Sequence, residues 1–73
     1  MDKFGAMRIL CRVVDLGSFS QAANSLGVPS TRISQLVSDL ESELGVRLLQ
    51  RSTRVMKLTV DGAAYVERCR QIL

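Results

Sequence analysis

The stretch SFSQAANSLGVPSTRISQLVSDLESEL, from Ser18 to Leu44, constrains this chain more than any other part of it. Ser18 suits a helix N-cap, because its hydroxyl can accept a bond from a free backbone N–H of the first turn. Gln21, three residues on, can reach back to the Ser18 N–H and close a capping box. Ala22, Ala23 and Leu26 then give a small apolar face, and small residues there let a second helix approach closely. Gly27 is the residue best able to take the left-handed conformation that ends a helix. Pro29 cannot donate a backbone hydrogen bond, so it is expected at the first position of a new helix. Ile33, Val37, Leu40 and Leu44 recur at helical spacing and turn that new helix into a core. Helix, short Gly-containing turn, helix is the layout of a helix-turn-helix, whose second helix can enter the major groove of DNA.

The face opposite the apolar stripe points the same way. At roughly 100° per residue, Thr31, Gln35, Ser38 and Ser42 lie almost diametrically opposite Ile33, with Ser34 beside them. These are short, uncharged hydrogen-bonders of the kinds that pair with base edges. A solvated face more often carries Lys and Glu, whereas the acids here, Asp39, Glu41 and Glu43, stand toward the end of the segment. An acid at a tip entering the groove would repel phosphate. The plainer alternative is a Ser-rich surface helix with no partner.

Charge along the chain argues against that alternative. The net charge is +3, yet residues 1–45 hold four cations against five acids, and residues 46–73 hold six against two. Between Val46 and Val60 stand Arg47, Arg51, Arg54 and Lys57 with no acid among them. A basic block without counter-charges is an electrostatic footprint for phosphate. Only Phe4, Phe19 and Tyr65 are aromatic, too few for the stacking platform of a single-strand binder.

Other classes fall away on composition. At 73 residues the chain makes one small domain, which at this size buries only about 60% of its unfolded surface. No apolar stretch approaches the roughly 20 residues that span a bilayer, and no signal-peptide layout opens the chain, so a cytoplasmic location is expected. There is no histidine, and Cys11 and Cys69 form no CxxC pair, so no metal and no cofactor are expected. Both cysteines fall at apolar helix positions and read as buried free thiols. Without a histidine to activate Ser or Cys, and without paired carboxylates beside a pocket, an enzyme is not expected.

The remaining signals complete a mainly α fold. Asp2 to about Asp15 reads as a helix with Phe4, Met7, Cys11 and Val14 on one stripe and Leu10 beside it, ended by Gly17. Gly45 breaks the chain behind Leu44. Arg47–Arg51 and Val55–Leu58 are two short candidate strands around a polar, basic tip. Thr59 is placed to cap a last helix, with Asp61 in its first turn where the helix dipole favours an anion. Along that helix Tyr65, Val66, Cys69, Ile72 and Leu73 make an apolar arc wider than one small domain can cover, so part of it is expected to meet another chain. Three helices, a two-stranded β wing over about 47–58 and the start of a further helix at 59–73 make a winged helix-turn-helix.

With its elements in that order, the chain resembles the N-terminal DNA-binding domain of LysR-type transcriptional regulators over essentially its whole length. The likeness rests on DLGSFSQAANSLGV, ISQLVSDLESELGVRLLQRSTR and LTVDGAAYVERCRQIL, in this order and spacing. The resemblance implies a winged helix-turn-helix at 1–58, with the helix-turn-helix at about 18–38 and Ser30–Leu44 as recognition helix. It implies double-stranded DNA as partner, with Ser30, Thr31, Ser34, Gln35 and Ser38 toward the bases. Arg32 and the wing residues Arg51, Ser52, Thr53 and Arg54 would contact the backbone or minor groove. It further implies that residues 59–73 begin a linker helix through which two copies pair, with Tyr65, Val66, Cys69, Ile72 and Leu73 at that contact. It implies as well an effector-binding domain outside this chain, through which any small-molecule effector would act. Gln35 and Ser38 stand where the family often has basic residues, which turns attention from guanine to adenine. The competing reading is a winged helix reused as a protein–protein interaction module.

Overall fold

The structure is a computed structural model, and it describes residues 2–50 and 56–73. Its elements run α1 (Lys3–Leu16), α2 (Phe19–Leu26), α3 (Ser30–Leu44), β1 (Leu49–Gln50), β2 (Lys57–Leu58) and α4 (Val60–Ile72). The winged helix-turn-helix expected from the sequence is the fold observed, and its described strands are shorter than the candidate segments. The wing-tip residues Arg51, Ser52, Thr53 and Arg54 lie outside the described residues.

Local chemistry accounts for the helix ends. Ser18 Oγ accepts from the Gln21 backbone N–H at 3.2 Å, as an N-cap should. The Gln21 side chain makes no return bond; Ser18 Oγ instead meets Ser20 Oγ at 3.0 Å. Gly27 closes α2 at φ 70°, a left-handed geometry that a β-carbon disfavours, and its N–H reaches back to Asn24 O. Pro29 stands one residue earlier than expected: with ψ at 145° it is the extended N-cap of α3, and Ser30 is the first helical residue. Thr59 caps α4 by accepting from Gly62 N–H at 2.8 Å, with Asp61 in the first turn.

Two joined cores hold these elements. Val13 of α1, Ala22 and Ala23 of α2 and Ile33 of α3 form one, where the two alanines let α3 pack closely on α2. The other gathers Ala6, Met7, Leu10 and Cys11 of α1, Val37 and Leu40 of α3, Leu48 and Leu49 at the start of the wing, and Val66 and Cys69 of α4. The strands pair antiparallel, Leu49 opposite Leu58 and Gln50 opposite Lys57. One expectation fails at the start of α1: Phe4 lies on the apolar stripe by periodicity but remains 57% exposed. Spacing fixes which face a residue takes; it does not extend a neighbouring element as far as the first turn. Among the described residues no helix is long and apolar enough to cross a membrane.

Candidate nucleic-acid interface

The helix-turn-helix presents the N-terminal part of α3 outward, because Ile33, Val37 and Leu40 are drawn into the cores on the other side. Ser30, Thr31, Arg32 and Gln35 are exposed there, and Ser34 and Ser38 are half-buried at the edge of the same face. Thr31, Arg32 and Gln35 border an open cleft of about 710 Å³ whose far wall is the start of α1, with Asp2 and Ile9. The surface is therefore rich in short donors and acceptors and holds one cation near its tip. Gln35 does not stand free: its Nε2 donates to Asp39 Oδ1 at 2.8 Å. That i, i+4 pairing is a known helix-surface interaction, so the spacing was visible in the sequence.

The acids of α3 have separate fates. Glu43 pairs with Lys3 of α1 at 2.8 Å. Glu41 turns inward, 8% exposed. Its Oε2 accepts from the backbone N–H of Leu48 at 2.7 Å and of Leu49 at 3.2 Å. These two bonds at one oxygen satisfy buried backbone donors and hold the root of the wing against α3. Sequence reasoning placed Glu41 only among the acids at the end of the helix. The signal it passed over is position: Glu41 is four residues after Val37, at the border of the apolar stripe.

The same segment is held from the other side. Thr59 donates from its backbone N–H to Leu48 O at 3.0 Å and from Oγ1 to Arg47 O at 2.5 Å. Gly62 packs directly on Leu48, where a β-carbon would lie 2.0 Å from the Leu48 carbonyl oxygen. Residues 47–49 thus join recognition helix, wing and α4 through backbone groups. Arg47, within this joint, is exposed and borders an open pocket with Ser38 and Ser42 of α3, which sets a cation beside that helix; Lys57 is exposed on β2.

Along α4 the apolar arc divides. Val66 and Cys69, expected at a contact with a second chain, are 4% and 1% exposed inside the domain's own core, packed with Cys11 of α1. Tyr65 is half-buried, its hydroxyl enclosed beside Cys69 with no nitrogen or oxygen partner. The reason is that α1 lies back along α4, fastened by a 2.5 Å bond from Arg70 to Asp15, and takes up that side of the arc. Ile72 and Leu73 do remain exposed, as does Val60 at the other end of the helix. Both cysteines are free thiols and buried, as expected.

Comparison with known proteins agrees with this geometry. The family model for bacterial regulatory helix-turn-helix proteins of the lysR family matches residues 4–63. An HTH-type transcriptional repressor of Pseudomonas aeruginosa is 56% identical over 73 residues, all of this chain and 23% of that protein. The HTH-type transcriptional activator AaeR of Escherichia coli is 45% identical over 73 residues, again all of this chain and 24% of that protein. The chain therefore spans about a quarter of the length of these curated relatives. Among solved structures, the BenM DNA-binding domain with catB site DNA superposes at a TM-score of 0.93, with 30% identity over 99% of this chain and 76% of that one. The CbnR DNA-binding domain bound to DNA gives 0.89, with 36% identity over 99% of this chain and 82% of that one. The family model spans the helix-turn-helix and the described strands, and the chain belongs to the LysR family of bacterial helix-turn-helix regulators.

Proposed function

We propose that this chain is the part of a transcriptional regulator that binds double-stranded DNA sequence-specifically, with the N-terminal half of α3 in the major groove. The observation that carries the reading is the outward face of α3, where uncharged Ser30, Thr31 and Gln35 lie exposed with Ser34 and Ser38 at their edge, and where the exposed cation Arg47 borders a pocket with Ser38. In that role Ser30, Thr31, Ser34, Gln35 and Ser38 meet base edges. Arg32 and the wing residues Arg51, Ser52, Thr53 and Arg54 meet phosphate or the adjacent minor groove. The matched domains of BenM and CbnR, both solved on DNA, support it.

Two copies pair through the end of α4, where Ile72 and Leu73 offer the apolar surface that Val66 and Cys69 no longer can. A two-fold dimer then reads inverted half-sites whose spacing its geometry sets. The domain itself acts without metal or cofactor, in the cytoplasm, and an effector acts elsewhere in the regulator. One relative is named a repressor and another an activator, so the sign of regulation does not carry across.

The test is binding to duplex DNA from a randomised half-site across a salt series. Affinity should fall steeply with salt, each neutralised phosphate adding about −0.9 to the log–log slope. Gln35→Ala should lose about 1–3 kcal/mol on the selected site and little on random sequence. Equal loss on every sequence would make Gln35 a positioning group that reads nothing. Salt-insensitive or undetectable binding would favour the protein–protein module instead.

A further inference from the structure

Asp39 is the acid of α3 that stands beside the base-reading candidates, facing a cleft whose other wall carries Asp2. It lies one turn beyond Gln35 on α3, it is exposed, and among the described residues no cation pairs with it. Its recorded contact is with Gln35, whose Nε2 donates to Asp39 Oδ1 at 2.8 Å. Both side chains line the cleft wall that also carries Thr31. An anion in this position is a liability for a surface that approaches phosphate, so its presence calls for a compensating role.

The chemistry of a primary amide supplies one. Its nitrogen carries two N–H bonds, one beside the carbonyl oxygen and one directed away from it. Pairing with adenine uses the oxygen and the N–H beside it, since adenine offers the N6 amino donor next to the N7 acceptor. A carboxylate can only accept, so the amide end facing Asp39 must be the nitrogen. That bond prevents the amide from turning over and presenting donor and acceptor in the order that mismatches adenine. If the N–H given to Asp39 is the outer one, the paired edge is left whole.

We propose that Asp39 is a specificity-determining positioning residue, which orients the Gln35 amide so that its donor–acceptor edge meets an adenine. This rests on the base-reading role proposed for Gln35. Asp39 touches no base; it acts through Gln35, and its own charge lowers affinity for DNA in general. Solvent competes for the pair in the free protein, and the bond strengthens when DNA excludes water from the groove.

Selection from a randomised half-site with four variants tests it: Gln35→Ala, Asp39→Ala, Asp39→Asn and the Gln35→Ala/Asp39→Ala double. Asp39→Ala is expected to lower the adenine preference at one base pair about threefold to tenfold, the span of a charge-assisted hydrogen bond partly offset by solvent. That base pair should be the one whose preference Gln35→Ala removes, and the double variant should lose no more than Gln35→Ala alone. Asp39→Asn, whose oxygen still accepts, should keep most of the preference, a rescue that a purely electrostatic role cannot give. Affinity for random DNA should rise with both Asp39 variants as a negative charge is removed. Adenine preference unchanged in Asp39→Ala but lost in Gln35→Ala would overturn the role of Asp39 and leave the reading of Gln35 standing. Loss of a cytosine preference that persists without Gln35 would make Asp39 a direct base reader, and would overturn it as well. No preference lost in Gln35→Ala at any position would remove the reading beneath it.

Discussion

At the scale of single residues, two glycines show how little helix propensity alone decides. Gly62, in the first turn of α4, would place a β-carbon 2.0 Å from the Leu48 carbonyl oxygen and 2.8 Å from its carbon. Both are backbone atoms of the joint between wing and recognition helix, so neither can swing aside. Gly62→Ala is expected to destabilise the domain by about 2–4 kcal/mol, beyond ordinary overpacking, despite the better helix propensity of alanine. Gly5 in α1 meets only the Asp2 carboxylate, at 2.7 Å. Asp2 makes no side-chain cap bond, so it is free to move away. Gly5→Ala should then stabilise by up to about 1 kcal/mol, the propensity gain alone. Urea unfolding of the two variants checks the opposite signs, and equal effects would show that the Leu48 contact does not restrain α4.

Between elements, buried hydrogen bonds and surface ion pairs set the geometry. Glu41 is the only polar residue recorded as buried among the described residues, and it satisfies two backbone donors at the root of the wing. Glu41→Ala leaves the Leu48 and Leu49 N–H groups without that acceptor, at about 1–3 kcal/mol each. A total loss of about 2–5 kcal/mol is expected, with hydrogen-exchange protection lost first at Leu48 and Leu49. Glu41→Gln keeps an acceptor oxygen and should lose less. Between α1 and α4, the bond from Arg70 holds the Asp15 carboxyl below its ordinary 3.8. A lowered folded-state pKa adds stability above 3.8 that disappears as pH falls through the lower folded value. Both groups are exposed, so the contribution is small. Asp15→Asn should therefore lower the unfolding midpoint slightly at pH 7, and the difference from the parent should shrink as pH falls below 3.8.

Over the whole molecule, the buried Tyr65–Cys69–Cys11 contact between α4 and α1 makes the domain sensitive to alkali. Burial pushes the Tyr65 phenol above its ordinary 10.0 and the Cys69 thiol above 9.0, with Cys11 adding to both. For groups whose folded pKa is raised, the stabilisation is complete below the ordinary value and is lost as pH climbs from there through the folded one. Thermal stability should thus hold steady near neutrality and begin to fall above about pH 9 as the thiol titrates, more steeply once the phenol follows. Tyr65→Phe removes a hydroxyl without a nitrogen or oxygen partner, so it should be neutral or slightly stabilising at pH 7. It should also flatten the upper part of the alkaline loss. A parent and variant that fall together above pH 10 would place the sensitivity elsewhere.

Ser18, Gly27 and Thr59 each announce a helix end through partners no more than four residues away, so the order of elements and the outward face of α3 were legible from the sequence alone. The charge asymmetry of the wing was legible for the same reason, since it requires only counting along the chain. Tertiary structure decided what distant elements do to those faces. Val66 and Cys69 look outward by composition, yet α1 folds back onto them from more than 50 positions earlier in the chain, while Ile72 and Leu73 of the same arc stay exposed. Phe4 matches the apolar stripe but meets no neighbour that covers it. Glu41 finds its donors seven and eight residues on, across the break at Gly45. Periodicity records which way a side chain points; which backbone group, core or open solvent it then meets depends on contacts the chain makes only when it closes on itself.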